Sequence, residues 1–127
     1  MANGAAVRNR FFKTKWFSRG ARKAQISDRE LCLAVRQVML GQAVDLGGGV
    51  FKKRLGKNRY RSIILAQGGR NWVYEYLFAK KDLDNISKSE LANFRKLARR
   101  YEGLTNQEIF ELMANQDWVE ICNDNSA

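Results

Sequence analysis

Apolar residues change their spacing along the chain, and the changes mark its elements. Three runs read as strands: Val50 to Leu55, Tyr60 to Ala66 and Trp72 to Ala79. They are rich in β-branched and aromatic residues, and "GKN" and Gly68-Gly69 separate them with residues that tolerate the positive φ of tight turns. In "WVYEYLFA" alternation puts Trp72, Tyr74, Tyr76 and Phe78 on one sheet face and Val73, Glu75 and Leu77 on the other. Both faces are largely apolar, as expected of a central strand covered by helices.

Helical spacing flanks this block. "SDRELCLAVRQVMLG" opens on the capping pair Ser27 and Glu30, carries Leu31, Val35, Val38 and Met39 on one face, and meets Gly41 as a stop. "ISKSELANFRKLARRY" repeats the device with Ser87 and Glu90; Leu91, Phe94, Leu97, Ala98 and Tyr101 make its stripe, and Gly103 ends it. Thr105 and Glu108 open a third, shorter helix. Near the start, Phe11 and Lys13 alternate as a short strand, and Thr14 caps a helical turn through Trp16 and Phe17 that stops at Gly20. "VDLGGG" reads as a flexible connection, and "WVEIC" as a last strand or an extended tail. The order predicts one compact α+β domain over residues 1–127, with 1–7 disordered and 114–127 an acidic C-terminal tail.

Composition narrows the chemistry. There is no His, which excludes Ser-His-Asp and Cys-His catalysis and an HExxH zinc site. Cys32 and Cys122 stand far apart without CxxC spacing, so they read as buried or incidental thiols of a reducing cytosol. No apolar block suggests a signal peptide or a membrane span; a cytoplasmic location is expected, with no membrane partner, metal or cofactor.

Charge changes the picture most. The net charge is +10, and all 23 Lys and Arg precede Tyr101, whereas six of the 13 acids follow it. A basic body of this kind attracts a polyanion, nucleic acid being the commonest. The acidic end either shields that body or stays solvated, the more common behaviour of like-charge blocks.

The cations concentrate in "VFKKRLGKNRYR", where Lys52, Lys53, Arg54, Lys57, Arg59 and Arg61 stand without an acid. Strand alternation puts Lys52 and Arg54 on one face and Phe51, Lys53 and Leu55 on the other. Pairing across the turn brings Arg61 near Lys52 and Arg54. Cations so placed repel unless an anion lies between them; a solvated basic face is the plainer alternative. Lys80-Lys81 extends the patch from the end of the next strand.

The pattern "GGGVFKKRL…YRSIIL", a hairpin, "WVYEYLFAKKD" and a helix resembles the RelE/ParE superfamily of type II toxins, closest to its HigB-like, RelE-type branch. The resemblance spans roughly Arg8 to Leu112. It implies a small RelE-like α+β fold, a twisted antiparallel sheet of three to four strands with N-terminal and C-terminal helices packed on it. It also implies a toxin neutralised by a cognate antitoxin, acting as a metal-independent endoribonuclease on mRNA at the ribosome and so inhibiting translation. Carried over by position, Lys52, Arg54, Arg61 and Lys81 are the catalytic candidates, and Lys53, Lys57, Arg59 and Lys80 the RNA-binding ones. Many relatives place a Tyr or His in the C-terminal helical segment, where "DNISKSEL" has only Ser87 and Ser89. The same fold in ParE-type relatives poisons DNA gyrase, so a non-enzymatic inhibitor or a nucleic-acid-binding module is the alternative.

Overall fold

The computed structural model describes residues 9–82 and 85–122. The expected disorder at residues 1–7 lies outside them. The elements run β1 (Arg10–Thr14), α1 (Lys15–Lys23), α2 (Asp28–Met39), β2 (Val44–Gly47), β3 (Val50–Leu55), β4 (Tyr60–Leu65), a 3-10 turn (Gln67–Gly69), β5 (Asn71–Ala79), α3 (Lys88–Glu102), α4 (Asn106–Ala114) and β6 (Trp118–Ile121). The α+β class and all the expected helices are present, but the sheet has six strands in the order β2-β3-β4-β5-β1-β6. It is mixed, because β1 runs parallel to β5. Beyond the expected three to four strands, "VDLGGG", read as a flexible connection, supplies β2, and "WVEIC", read as a last strand or an extended tail, is the edge strand β6. Of the expected acidic tail, Trp118–Ile121 pairs with β1 as the far sheet edge. No helix among the described residues is long and apolar enough to cross a membrane.

Helix caps act as their sequences suggest. The side chains of Thr14, Ser27, Ser87 and Thr105 each accept the backbone N–H three residues on, and Glu90 and Glu108 complete reciprocal boxes. Glu30 instead accepts the N–H of Gly56 at 2.6 Å, tying the tip of the β3–β4 hairpin to α2. Helix α1 runs through Gly20 rather than stopping there. A Cβ at Gly20 would lie 3.4 Å from Leu77 Cδ2, ordinary van der Waals contact, which shows this face of α1 seated on β5. In α2, Ala34 is buried and Met39 is 40% exposed, the reverse of the expected stripe at its last position.

Strict alternation fails in β5. Ile63 pairs with Tyr76 but Ile64 pairs with Tyr74, leaving Glu75 as the extra residue of a β-bulge. Trp72 and Tyr74 therefore pack under α1 and α2 with Phe17, Leu31 and Val35. Tyr76 and Phe78 pack on the opposite face with Val50, Ile63 and Ala98 beneath α3. Val73 joins Phe12, Ile109 and Trp118 under α4.

The glycine run is a close-contact device, not a flexible link. Arg95 of α3 donates to the carbonyls of Leu46 and Gly47. A Cβ at Gly48 would come within 2.8 Å of Arg95 Cγ, and one at Gly49 within 2.6 Å of the Gln67 backbone. All three glycines, 47 to 49, have positive φ.

Cys32 and Cys122 form a disulfide between α2 and the segment after β6, across 90 positions of sequence. The expected free thiols are thus corrected: sequence spacing does not reveal that the fold brings the last edge strand beside α2. A covalent loop of this length restricts the unfolded chain. Reducing it is expected to lower unfolding stability by about 3 kcal/mol, read as a shift of the urea midpoint; equal midpoints for oxidised and reduced protein would contradict this.

Glu75 supplies a second test. Tyr101 donates its hydroxyl to Glu75 Oε1 at 2.7 Å. Burial raises the Glu75 carboxyl above its ordinary pKa, partly offset by that hydrogen bond. A raised folded-state pKa means that ionisation opposes folding, so this group's contribution falls as pH rises through the shifted value. Glu75→Gln, which keeps the acceptor for Tyr101, is expected to raise the melting temperature at pH 7. The gain should vanish as pH falls toward the ordinary carboxyl value of 4.5. A gain that is constant with pH would show that ionisation is not its source.

Candidate nucleic-acid interface

The basic hairpin is positioned by packing on both sides. Phe51 and Leu55 anchor β3 against the α2 side, and Val50 anchors it against α3. Alternation then turns Lys52 and Arg54 to the α3 side and Lys53 to the α2 side. On β4, Ile63 and Leu65 fix the α3 side, so Arg61 shares it. The register sets Arg54 directly opposite Arg61 and Lys52 opposite Ile63, while Phe78 of β5 pairs with Arg61 on its other flank. Directly opposed residues on antiparallel strands have Cβ atoms roughly 5 Å apart, and like charges there destabilise the sheet.

Two side chains reduce that strain differently. Arg61 is 9% exposed, and its Nη1 donates to the carbonyls of Asn58 and Tyr60 at 3.1 Å each. It therefore braces the turn as well as carrying charge. Arg54 is exposed to solvent. Lys52 Nζ donates to Asn85 Oδ1 at 3.3 Å, and that oxygen also accepts the N–H of Ile86, which places the lead-in to α3 beside β3. Ser87 is occupied by capping α3, and its hydroxyl lies 3.1 Å from that of Ser89.

The remaining cations divide into two places. Lys53 donates to the carbonyl of Gln42 at 2.9 Å on the α2 side. Burial, and then the charge of Arg54, holds its ammonium below the ordinary lysine pKa. Arg59, Lys80 and Lys81 line a cleft of about 590 Å³ with Asn58, Tyr60 and Ala79, where the ends of β4 and β5 meet. Lys57 is exposed in the turn with φ 57°. The sequence-derived set is thus one cluster of Lys52, Arg54 and Arg61 on the α3 face, a cleft at the sheet end, and Lys53 behind.

Among the described residues, the two ion pairs are Arg10 with Glu120 and Lys13 with Asp28. Neither involves the hairpin, so its cations lack a carboxylate partner there. The described part of the acidic C-terminal region lies across the sheet at β6, where Glu120 holds Arg10, and not against the hairpin. The buried tyrosines offer no ready proton: burial pushes the Tyr74 and Tyr101 hydroxyls far up, and Tyr74 is committed to the carbonyl of Leu31 at 2.7 Å. What sequence reasoning missed are Asn85 and Phe78, the polar contact and the apolar flank of the cluster. Phe78 was hidden by the bulge that moves it to this face.

The chain matches the family described as RelE toxin of the RelE/RelB toxin-antitoxin system over residues 9–121. No curated protein matches it. The match covers nearly the whole chain, from β1 to β6, and the chain belongs to the RelE toxin family: it is the toxin of a toxin-antitoxin pair, with an antitoxin as its partner.

Proposed function

We propose that the protein is a HigB-like, RelE-type endoribonuclease that cleaves mRNA on the ribosome and so inhibits translation. The observation that carries this reading is the opposition of Arg54 and Arg61 beside Lys52, with no carboxylate in ion-pair contact among the described residues. A phosphodiester relieves the repulsion and suits the planar guanidinium fork, which binds phosphate oxygens in pairs. In this reaction the ribose 2′-oxygen attacks phosphorus while the bond to the 5′-oxygen breaks. One group takes the 2′-proton and another returns a proton to the leaving oxygen. Arg54 and Arg61 hold the scissile phosphate as charge builds on it, and Lys52 or Lys81 moves the proton. Lys57, Arg59 and Lys80, with Lys53 behind them, guide the flanking strand by charge.

Arg54→Ala is the cleaner test, because Arg54 is exposed whereas Arg61 also braces the turn. It is expected to slow ribosome-dependent cleavage on the order of 10²-fold, the usual loss when one transition-state donor is removed. The readout is the yield of new mRNA 5′ ends after induced expression. Growth arrest with damaged DNA and intact mRNA would overturn the nuclease and favour a gyrase poison. Separately, Arg61→Ala is expected to lower the slope of log affinity against log salt by about one if its contact is to a phosphate. An unchanged slope in RNA titrations would remove that role.

A further inference from the structure

A second basic surface lies on α1, outside the hairpin. Its nine residues hold Lys15, Arg19, Arg22 and Lys23 and no acid. Lys15, Arg19 and Arg22 recur at helical spacing, and with Ser18 they form one wall of a groove of about 460 Å³. Gln116, Val119 and Glu120 lie on the other side. Glu120, the groove's carboxylate, is already held by Arg10 through two hydrogen bonds of 2.9 Å, so the α1 cations face it uncompensated.

Trp16 adds an aromatic plane. It is 74% exposed, while Phe17 and Ala21 of the same helix are buried in the core. The Arg19 guanidinium lies 5.0 Å from its ring centroid. An exposed indole backed by a cation and set among lysines and arginines is the pairing that stacks a nucleobase and tracks its phosphates. Position favours the same ligand. β1 runs parallel to β5 and its register ends with Lys13 opposite Tyr74, so α1 leaves the sheet near the middle of β5 and runs over its later half. Gly20 lies over Leu77, which precedes the Lys80-Lys81 cleft along β5.

We propose that α1 is a second RNA-binding surface. Trp16 stacks one unpaired base, and Lys15, Arg19 and Arg22 contact the neighbouring phosphates of a single strand. It does not depend on cleavage at the hairpin.

The test uses the full chain carrying Arg54→Ala, so that cutting of the probe is slowed, without ribosomes, and a 5′-labelled oligouridine of about 12 nucleotides, a length within the usual single-strand site range. Fluorescence anisotropy over a salt series gives affinity and slope. Adding Trp16→Ala is expected to weaken binding about tenfold, and adding Arg22→Gln to lower the salt slope by about 0.7. Lys96→Gln, an exposed charge removed from α3, should leave affinity unchanged. Because Trp16 is exposed, the fold should survive, and circular dichroism checks it. Unchanged affinity on loss of Trp16 would overturn the proposal. So would Trp16-dependent binding of a polyglutamate peptide in place of RNA, since the surface would then serve an acidic protein segment. Trp16-dependent RNA binding by a chain that cuts no mRNA would uphold it and count against the nuclease alone.

Discussion

One extra residue in the central strand governs where everything else lies. A strand buried on both faces must present apolar groups to each, and β5 does so by changing phase at Glu75. Before the bulge its large aromatics serve the α1/α2 layer, and after it they serve the α3 layer. Without the shift, Tyr76 and Phe78 would crowd the first layer and leave α3 little to rest on. The cost is a carboxylate inside the second layer, made tolerable by the Tyr101 hydroxyl.

The basic cluster depends on the same second layer. Val50, Ile63 and Phe78 fix the pleat, and the pleat aims Lys52, Arg54 and Arg61. Opposed arginines cost stability, which hydrophobic burial on either side of the hairpin offsets. Glu30 pins the hairpin tip from below and Arg61 braces it from above, so the charges are presented by a rigid turn. Preorganised charge of that kind is worth more to an incoming anion than the same charges on mobile chains.

Much of this was legible in the residues. The capping pairs located the helices, and the runs from Val50 to Ala79 located three strands nearly to the residue, because those signals act over three or four positions. The facing of Lys52, Arg54 and Arg61 followed from alternation and the short turn. What stayed hidden were consequences of distant contacts. The bulge exists to satisfy two helical layers at once; β2 becomes a strand, and "WVEIC" a strand rather than a tail, only because a neighbour's edge is free to pair. The glycine run reads as slack until Arg95 and Gln67 occupy the space that side chains would fill. Asn85 joins the cluster through the approach of α3 to β3, which no local spacing encodes.

The link between Cys32 and Cys122 closes everything from mid-α2 to the end of β6 into a covalent ring, while β1 and α1 lie outside it. Any single backbone cut between those positions leaves one connected molecule, with both fragments still tethered at the far sheet edge. A protease that nicks an exposed turn, such as the one at Lys57 to Arg59, would therefore not release a fragment until a reductant opened the bridge.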